Sequence, residues 1–167
     1  MLFNMDQDKV TGMVFIDFRK DFDVVIHQLL LTKLRLYRMG DSALSWFKSY
    51  VTDRSQFVTI DGKQSDHLPI KQGVPQGSVL GSVLFLLFMN DIPLHQSHSS
   101  IDIFADDTLS ASTHWTDIPS MVQDINSDLH DINEWSAQNR MIINTDKTKS
   151  ILITGKRIEN KLPSDTA

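Results

Sequence analysis

Two adjacent carboxylates, Asp106 and Asp107, constrain this chain more than any other feature. They stand between a short apolar run, Ile101-Asp102-Ile103-Phe104-Ala105, and an apolar-leaning one, Thr108-Leu109-Ser110-Ala111-Ser112. That order predicts strand, tight turn, strand, with the acid pair at the bend. Neighbouring carboxylates repel, so a bend that holds two of them needs a cation or solvent beside it. A divalent metal is the functional reading. An ordinary surface turn is the other, since Asp is a common turn former.

The 167 residues suffice for one domain with a core. With no cysteine, disulfides and thiolate metal sites are excluded. Any metal must be held by oxygen or histidine, and oxygen suits magnesium. No apolar run reaches the length of a membrane span; the longest, Val79 to Met89, is too short. The first residues lack the basic-then-apolar pattern of a signal peptide. Net charge is −5, which taken whole argues against nucleic-acid binding. Its distribution says otherwise. No Lys or Arg lies between Gln72 and Asn139, although acids are frequent there, so an acidic block is flanked by two basic ones. Such a block reads either as a solvated acidic face or as a metal centre between phosphate-binding surfaces.

In chain order, Gly12 to Ile16 is a β-prone run that ends at Asp17. A carboxylate just past a buried strand stands where α/β folds often place chemistry. Val25 to Tyr37 has helical spacing, with Gly40 as its stop and Ser42 as the cap of a second helix. Phe57 to Ile60 and a run toward Leu68-Pro69-Ile70 predict a hairpin around Asp61-Gly62, with Lys63 and Lys71 making it a candidate basic flap. Gln72 to Ser78 must be a loop, and Val79 to Asn90 reads as a buried helix. Beyond the acid-pair hairpin, a long amphipathic helix has Val122, Ile125, Leu129 and Ile132 on its apolar face. Two strands follow, Met141 to Ile143 and Ser150 to Thr154. Residues 156–167 read as a tail or the stub of a further element.

With an insert at about 25–72 set aside, the order is strand, helix, strand, strand, helix, strand. That is the split βαβ pattern of a ferredoxin-like antiparallel sheet, an α+β fold with its helices on one face. In it the first strand lies beside the central hairpin, and Asp17 falls near Asp106.

Four segments then carry a resemblance. Phe15 to Asp23, Gln72 to Gly81, Phe104 to Thr108, and Trp135 with Asn144 to Thr148 resemble, in order, four motifs of the reverse transcriptase domain of LINE-type, jockey-like non-LTR retrotransposons. The match spans about Val14 to Ile153. It implies the palm of a right-hand polymerase with part of the fingers, over residues 1–155. It implies RNA-directed DNA synthesis with two magnesium ions, an RNA template, a DNA primer and a deoxynucleoside triphosphate. By the same resemblance Asp17, Asp106 and Asp107 hold the metals, and Lys147 assists catalysis at the pyrophosphate. Phe18, Phe22, Gln76 and Gly77 line the substrate pocket, with Phe22 excluding a ribose 2′-hydroxyl. The setting implied is intracellular, and nuclear during target-primed synthesis.

Two residues depart from the family pattern: Asp21 stands where alanine is usual, and Ser82 where proline is usual. The basic fingers segment, the primer grip and the thumb are expected to be missing. A decayed, non-catalytic remnant is therefore an alternative reading. On residues alone, so is an unrelated magnesium-dependent α/β enzyme, which has no need of Gln72 to Gly81.

Overall fold

The computed structural model describes residues 9–104, 106–114, 117–155 and 158; at 104 and 106–114 it is the backbone that is described. The chain divides into two compact units. The first comprises Met1–Arg19, Ile92–Ala137 and Ile142–Ala167; the second comprises Lys20–Asp91 and Gln138–Met141.

The first unit is built on a four-stranded antiparallel sheet. Its strands are β1 (Lys9–Ile16), β6 (Ser100–Phe104), β7 (Asp106–His114) and β8 (Lys149–Ile153), in the order β6-β7-β1-β8. β1 pairs on both edges and has one covered face: Val10, Val14 and Ile16, which share that face, are buried, while Phe15 on the other is 41% exposed, and β-branched residues fit such a pleated surface. A helix, Ile118–Asn139, crosses the sheet with Met121 and Ile125 packed at Gly12. Its buried stripe is Met121, Ile125, Asp128, Ile132 and Trp135. Val122, expected on that stripe, is 47% exposed.

Asp128 is the unexpected member of the stripe. Its carboxylate is fully buried and accepts the backbone N–H groups of Ser97 (2.9 Å), His98 (3.3 Å to each oxygen) and Ser99 (2.6 Å). These three residues lead directly into β6. Burial pushes the Asp128 carboxyl up, but the hydrogen bonds from Ser97, Ser99 and His98 outweigh it and hold the group below the usual carboxylate range.

The second unit contains four helices and two small hairpins. The helices are α1 (Asp21–Val24), α2 (His27–Leu36), α3 (Asp41–Val51) and α4 (Val79–Met89), which makes Ile118–Asn139 α5. Arg38, in the left-handed region at φ 62°, turns the chain after α2, and Gly40 is the N-cap of α3, two positions before the expected cap at Ser42. The hairpins are nested. β2 (Arg54–Gln56) pairs with β5 (Leu68–Ile70), and β3 (Thr59–Ile60) pairs with β4 (Lys63–Gln64) across Asp61-Gly62. The expected partner of Phe57 to Ile60 was Leu68 to Ile70. The tight Asp61-Gly62 turn instead pairs Thr59 with Gln64, leaving Leu68 to Ile70 for Arg54 to Gln56.

α4 is apolar all round, yet Val79, Val83 and Leu86 are exposed on one side while Leu84, Phe85, Phe88 and Met89 are buried. Its C-terminal end is held by Lys33 of α2. The Lys33 ammonium donates to the Phe88 carbonyl (2.8 Å) and to Asp91 Oδ1 (2.7 Å), where a cation also suits the helix dipole. Burial pulls the Lys33 ammonium below its ordinary range, against the opposing hydrogen bond and charge of Asp91. No helix among the described residues is long and apolar enough to cross a membrane.

Candidate active site

In the sheet unit the site begins where β1 ends. Ile16 is the register partner of Asp107, and Phe104 that of Asp106. Asp17, one residue past β1, therefore stands level with Asp106 at the same end of the sheet. The acid pair was expected at the bend; β7 already begins at Asp106, so both acids open the second strand. Ala105, and the side chains of Asp106 and Asp107, lie outside what the structure describes.

Asp17 is clamped by the segment 144–148. Its carbonyl accepts the Asn144 N–H (2.7 Å), and its Oδ2 accepts Asn144 Nδ2 (2.8 Å). Its own N–H donates to Thr148 Oγ1 (3.5 Å), and Lys147 Nζ stands 3.9 Å from Oδ2. The segment is itself a tight turn, with the Lys147 and Thr148 N–H groups both donating to the Asn144 carbonyl. Arg19 bridges to Asp146 at 3.5 Å, and the Arg19 N–H donates to the Ile142 carbonyl. Met141 to Ile143, expected as a strand, contributes a single bridge, Ile143 with Phe18, because the chain turns at Asn144 to grip Asp17. The ring of Phe18, expected at the substrate, meets Trp135 edge-on at 6.2 Å.

Reasoning from sequence missed the parts played by Asn144 and Thr148. The signal was present, since Asn, Thr and Asp in five residues are side chains that bond neighbouring backbone.

In the second unit, Phe22 lies on α1, half-buried, with its ring stacked on Phe85 (4.5 Å between centroids, 23° between planes). The loop 72–78 is tied to this point. Val74 N–H donates to the Phe22 carbonyl (2.8 Å), Gly73 N–H to that of Val25 (2.7 Å), and His27 Nε2 bonds the Gly73 carbonyl (2.8 Å). Gly73 has φ 90°, and a Cβ on it would stand 2.9 Å from the Asp23 carbonyl oxygen, so glycine is required. The close approach recurs at Gly81. Ser78 caps α4 by accepting the Gly81 N–H (3.0 Å), and the loop folds back so that the Pro75 carbonyl occupies the place of a Gly81 Cβ. Gln76 and Gly77 lie in this loop, and Gly77 has φ 81°. Gln76 lines an open cavity of about 590 Å³ together with Lys20, Asp23, Arg54 and Lys71.

The family description "Reverse transcriptase (RNA-dependent DNA polymerase)" matches residues 2–162. The chain belongs to the reverse transcriptase family. Its relatives place it on the non-LTR retrotransposon branch. It is 31% identical over 160 residues to the RNA-directed DNA polymerase from mobile element jockey of Drosophila melanogaster, covering 91% of this chain and 17% of that protein. It is 25% identical to the Pol polyprotein from type-1 retrotransposable element R2 of Popillia japonica, covering 95% of this chain and 27% of the relative. The chain thus spans only 17% of the length of the jockey polymerase. Among solved structures, apo telomerase from Candida tropicalis superposes with a TM-score of 0.65 at 16% identity, over 86% of this chain and 31% of the other. The same organism's telomerase with a telomeric RNA fragment gives 0.61, over 90% and 28%. At that identity the likeness shows the polymerase fold alone. This reverse transcriptase chain carries its mixed helices and strands in that fold.

Proposed function

We propose that this chain is the palm, with part of the fingers, of an RNA-directed DNA polymerase that extends a DNA 3′-end on an RNA template. The observation that carries the reading is the register of β1 on β7, which sets Asp17 level with Asp106 in a chain of the reverse transcriptase family. The strand order β6-β7-β1-β8 supports a ferredoxin-like palm, since it is the order of a split βαβ sheet.

Asp17, Asp106 and Asp107 would hold two magnesium ions. The described donor fits: Asp17 is a carboxylate whose Oδ1 has no protein partner among the described residues, and hard cations favour such oxygen. When bound, the ions polarise the attacking and leaving oxygens of phosphoryl transfer. The chain's own residues do the positioning. Asn144 fixes the carboxylate of Asp17, and Lys147 stands ready to pair with released pyrophosphate. Gln76 and Gly77 line the nucleotide and template pocket. Phe22 fills the space of a ribose 2′-hydroxyl. Phe22→Ala, in a polypeptide restored to the relatives' full length, is expected to raise the ribonucleotide-to-deoxynucleotide ratio of kcat/KM by about tenfold or more. An unchanged ratio removes the gate role.

The test of the function is primer extension on an RNA template with magnesium, by the restored-length polypeptide and by the 167-residue chain. The restored polypeptide is expected to extend the primer. The short chain is expected to show no extension above background. Its net charge of −5 opposes a polyanion, and holding a primer end in place is a large share of the barrier reduction. Extension by the short chain that vanishes on Asp106→Ala would show the palm to be sufficient. A second reading, a non-catalytic remnant, is favoured by Asp21, an extra carboxylate in the first turn of α1 beside Phe22. It predicts no extension by the restored polypeptide, and recovery on Asp21→Ala would identify that carboxylate as the lesion; extension by the restored wild-type polypeptide would decide against it.

A further inference from the structure

Within the second unit the loop 72–78 is fastened at each end by a side chain that lies outside the four motif segments. The exit is held many times over. Ser78 Oγ donates its one proton to the Pro75 carbonyl (2.8 Å) and accepts the Gly81 N–H (3.0 Å). The hydroxyl of Tyr50 on α3, 3.0 Å away, therefore donates to it. The entry depends on His27, the first residue of α2, which is buried. Its Nε2 stands 2.8 Å from the Gly73 carbonyl oxygen. A carbonyl oxygen only accepts, so Nε2 carries the proton and donates. That carbonyl belongs to the same peptide group as the Val74 N–H, which donates to the Phe22 carbonyl (2.8 Å). One peptide group is thus gripped from both sides. It follows Gly73, at φ 90°, and a glycine is the residue least able to hold a peptide orientation by itself. Between entry and exit, Gln76 and Gly77 are exposed.

We propose that His27 is a positioning residue for the incoming nucleotide: by holding the peptide group between Gly73 and Val74, it sets how the loop presents Gln76 and Gly77. The inference rests on the polymerase reading above and adds to it a residue that touches neither metal nor substrate. Without the His27 donor the Gly73 carbonyl loses its side-chain partner, and the entry of the loop is held by backbone bonds alone. The loop then spends only part of its time in the binding-competent arrangement. Apparent affinity falls by that fraction, whereas a nucleotide already bound has selected the competent loop. The loss therefore falls on KM and spares kcat.

The experiment compares His27→Leu, which removes the donor, with His27→Gln, whose terminal amide N–H replaces it. Hydrogen exchange of the 167-residue chain reads the loop itself. In His27→Leu the Gly73 and Val74 amides are expected to exchange about tenfold faster, while those of Leu30 and Leu34 in α2 stay within about twofold. Single-nucleotide incorporation by the restored-length polypeptide reads the consequence. His27→Leu is expected to raise KM for the deoxynucleoside triphosphate about tenfold and to leave kcat within about threefold. His27→Gln is expected to stay within about threefold of wild type in both measurements. Unchanged exchange at Gly73 and Val74 in His27→Leu overturns the proposal. So does faster exchange throughout α2, a fall in kcat at unchanged KM, or a glutamine variant that behaves like the leucine one. Absence of extension by the restored wild type sinks the polymerase reading instead, while exchange at Gly73 still decides whether His27 holds the loop, so the two failures give different results.

Discussion

Asp17→Asn in the restored-length polypeptide is expected to lower primer extension by about a thousandfold or more, which is about 4 kcal/mol of barrier. The substitution is chosen because it preserves shape. The carbonyl oxygen of the introduced amide can still accept the Asn144 Nδ2 donor that now sits 2.8 Å from Asp17 Oδ2, so the clamp by residues 144–148 survives. What is lost is one negative charge level with Asp106, at the place proposed above to hold the metal ions. Single-nucleotide incorporation with saturating template and primer measures the loss. A drop smaller than about tenfold would mean that Asp17 does not hold the metal, whatever its register. Asn144→Ala provides the companion measurement. It leaves the charge and frees the side chain, and is expected to cost less than Asp17→Asn.

Asp128→Ala is expected to lower stability by about 3 kcal/mol, since it strips the acceptor from three backbone N–H groups that pair with a buried carboxylate. For a chain of this size that corresponds to a fall in Tm of roughly 6–12 °C. The effect has a defined pH dependence. The folded carboxyl titrates below its unfolded value, which is about 3.9, so the folded state holds fewer protons in that range. The stabilisation is therefore full above about pH 5 and is lost as pH falls through the folded value. Wild type and Asp128→Asn should differ most at neutral pH and converge in acid, which urea midpoints across that range will report. A difference that stays constant to low pH would show that the charge of Asp128 contributes nothing. Because Ser97 to Ser99 lead into β6, loss of this anchor should also loosen the strand that carries the acid-pair hairpin.

The parts of the fold that were legible in the sequence are those with a strong local signature. β1 reads as a buried strand because Val10, Val14 and Ile16 obey a period of two against a covered face. The Gln72 to Ser78 loop reads from its glycines and proline, and Gly73 meets carbonyl oxygens that a side chain would strike. The nested hairpins were not legible at their true register. Strands of two or three residues, exposed almost throughout, carry no alternation, and the turn alone sets their pairing. Asp128 escaped for a different reason. A carboxylate on an apolar stripe looks like an error of phase until the three N–H groups it satisfies are known, and these come from about thirty residues earlier in the chain. At the candidate site the place of Asp17 just past β1 was legible, and the side chain that holds its carboxylate was not assigned. Asn144 acts on Asp17 through tertiary contact alone.

The sheet order has a consequence for synthesis on the ribosome. β1 emerges first, yet both of its neighbours, β7 and β8, come from beyond position 105. The chain leaves the sheet unit at Arg19 and returns at Ile92, having made most of the second unit in between. At typical elongation rates the roughly 90 residues between β1 and β7 take about 5–20 s, during which β1 has both edges open. Loop closure over such a separation must precede the pairing that rewards it, so the sheet forms late and slowly. The strand that orients Asp17 is thus the one most exposed to mispairing in the nascent chain, and its yield will depend on whatever shields an apolar edge until β7 arrives.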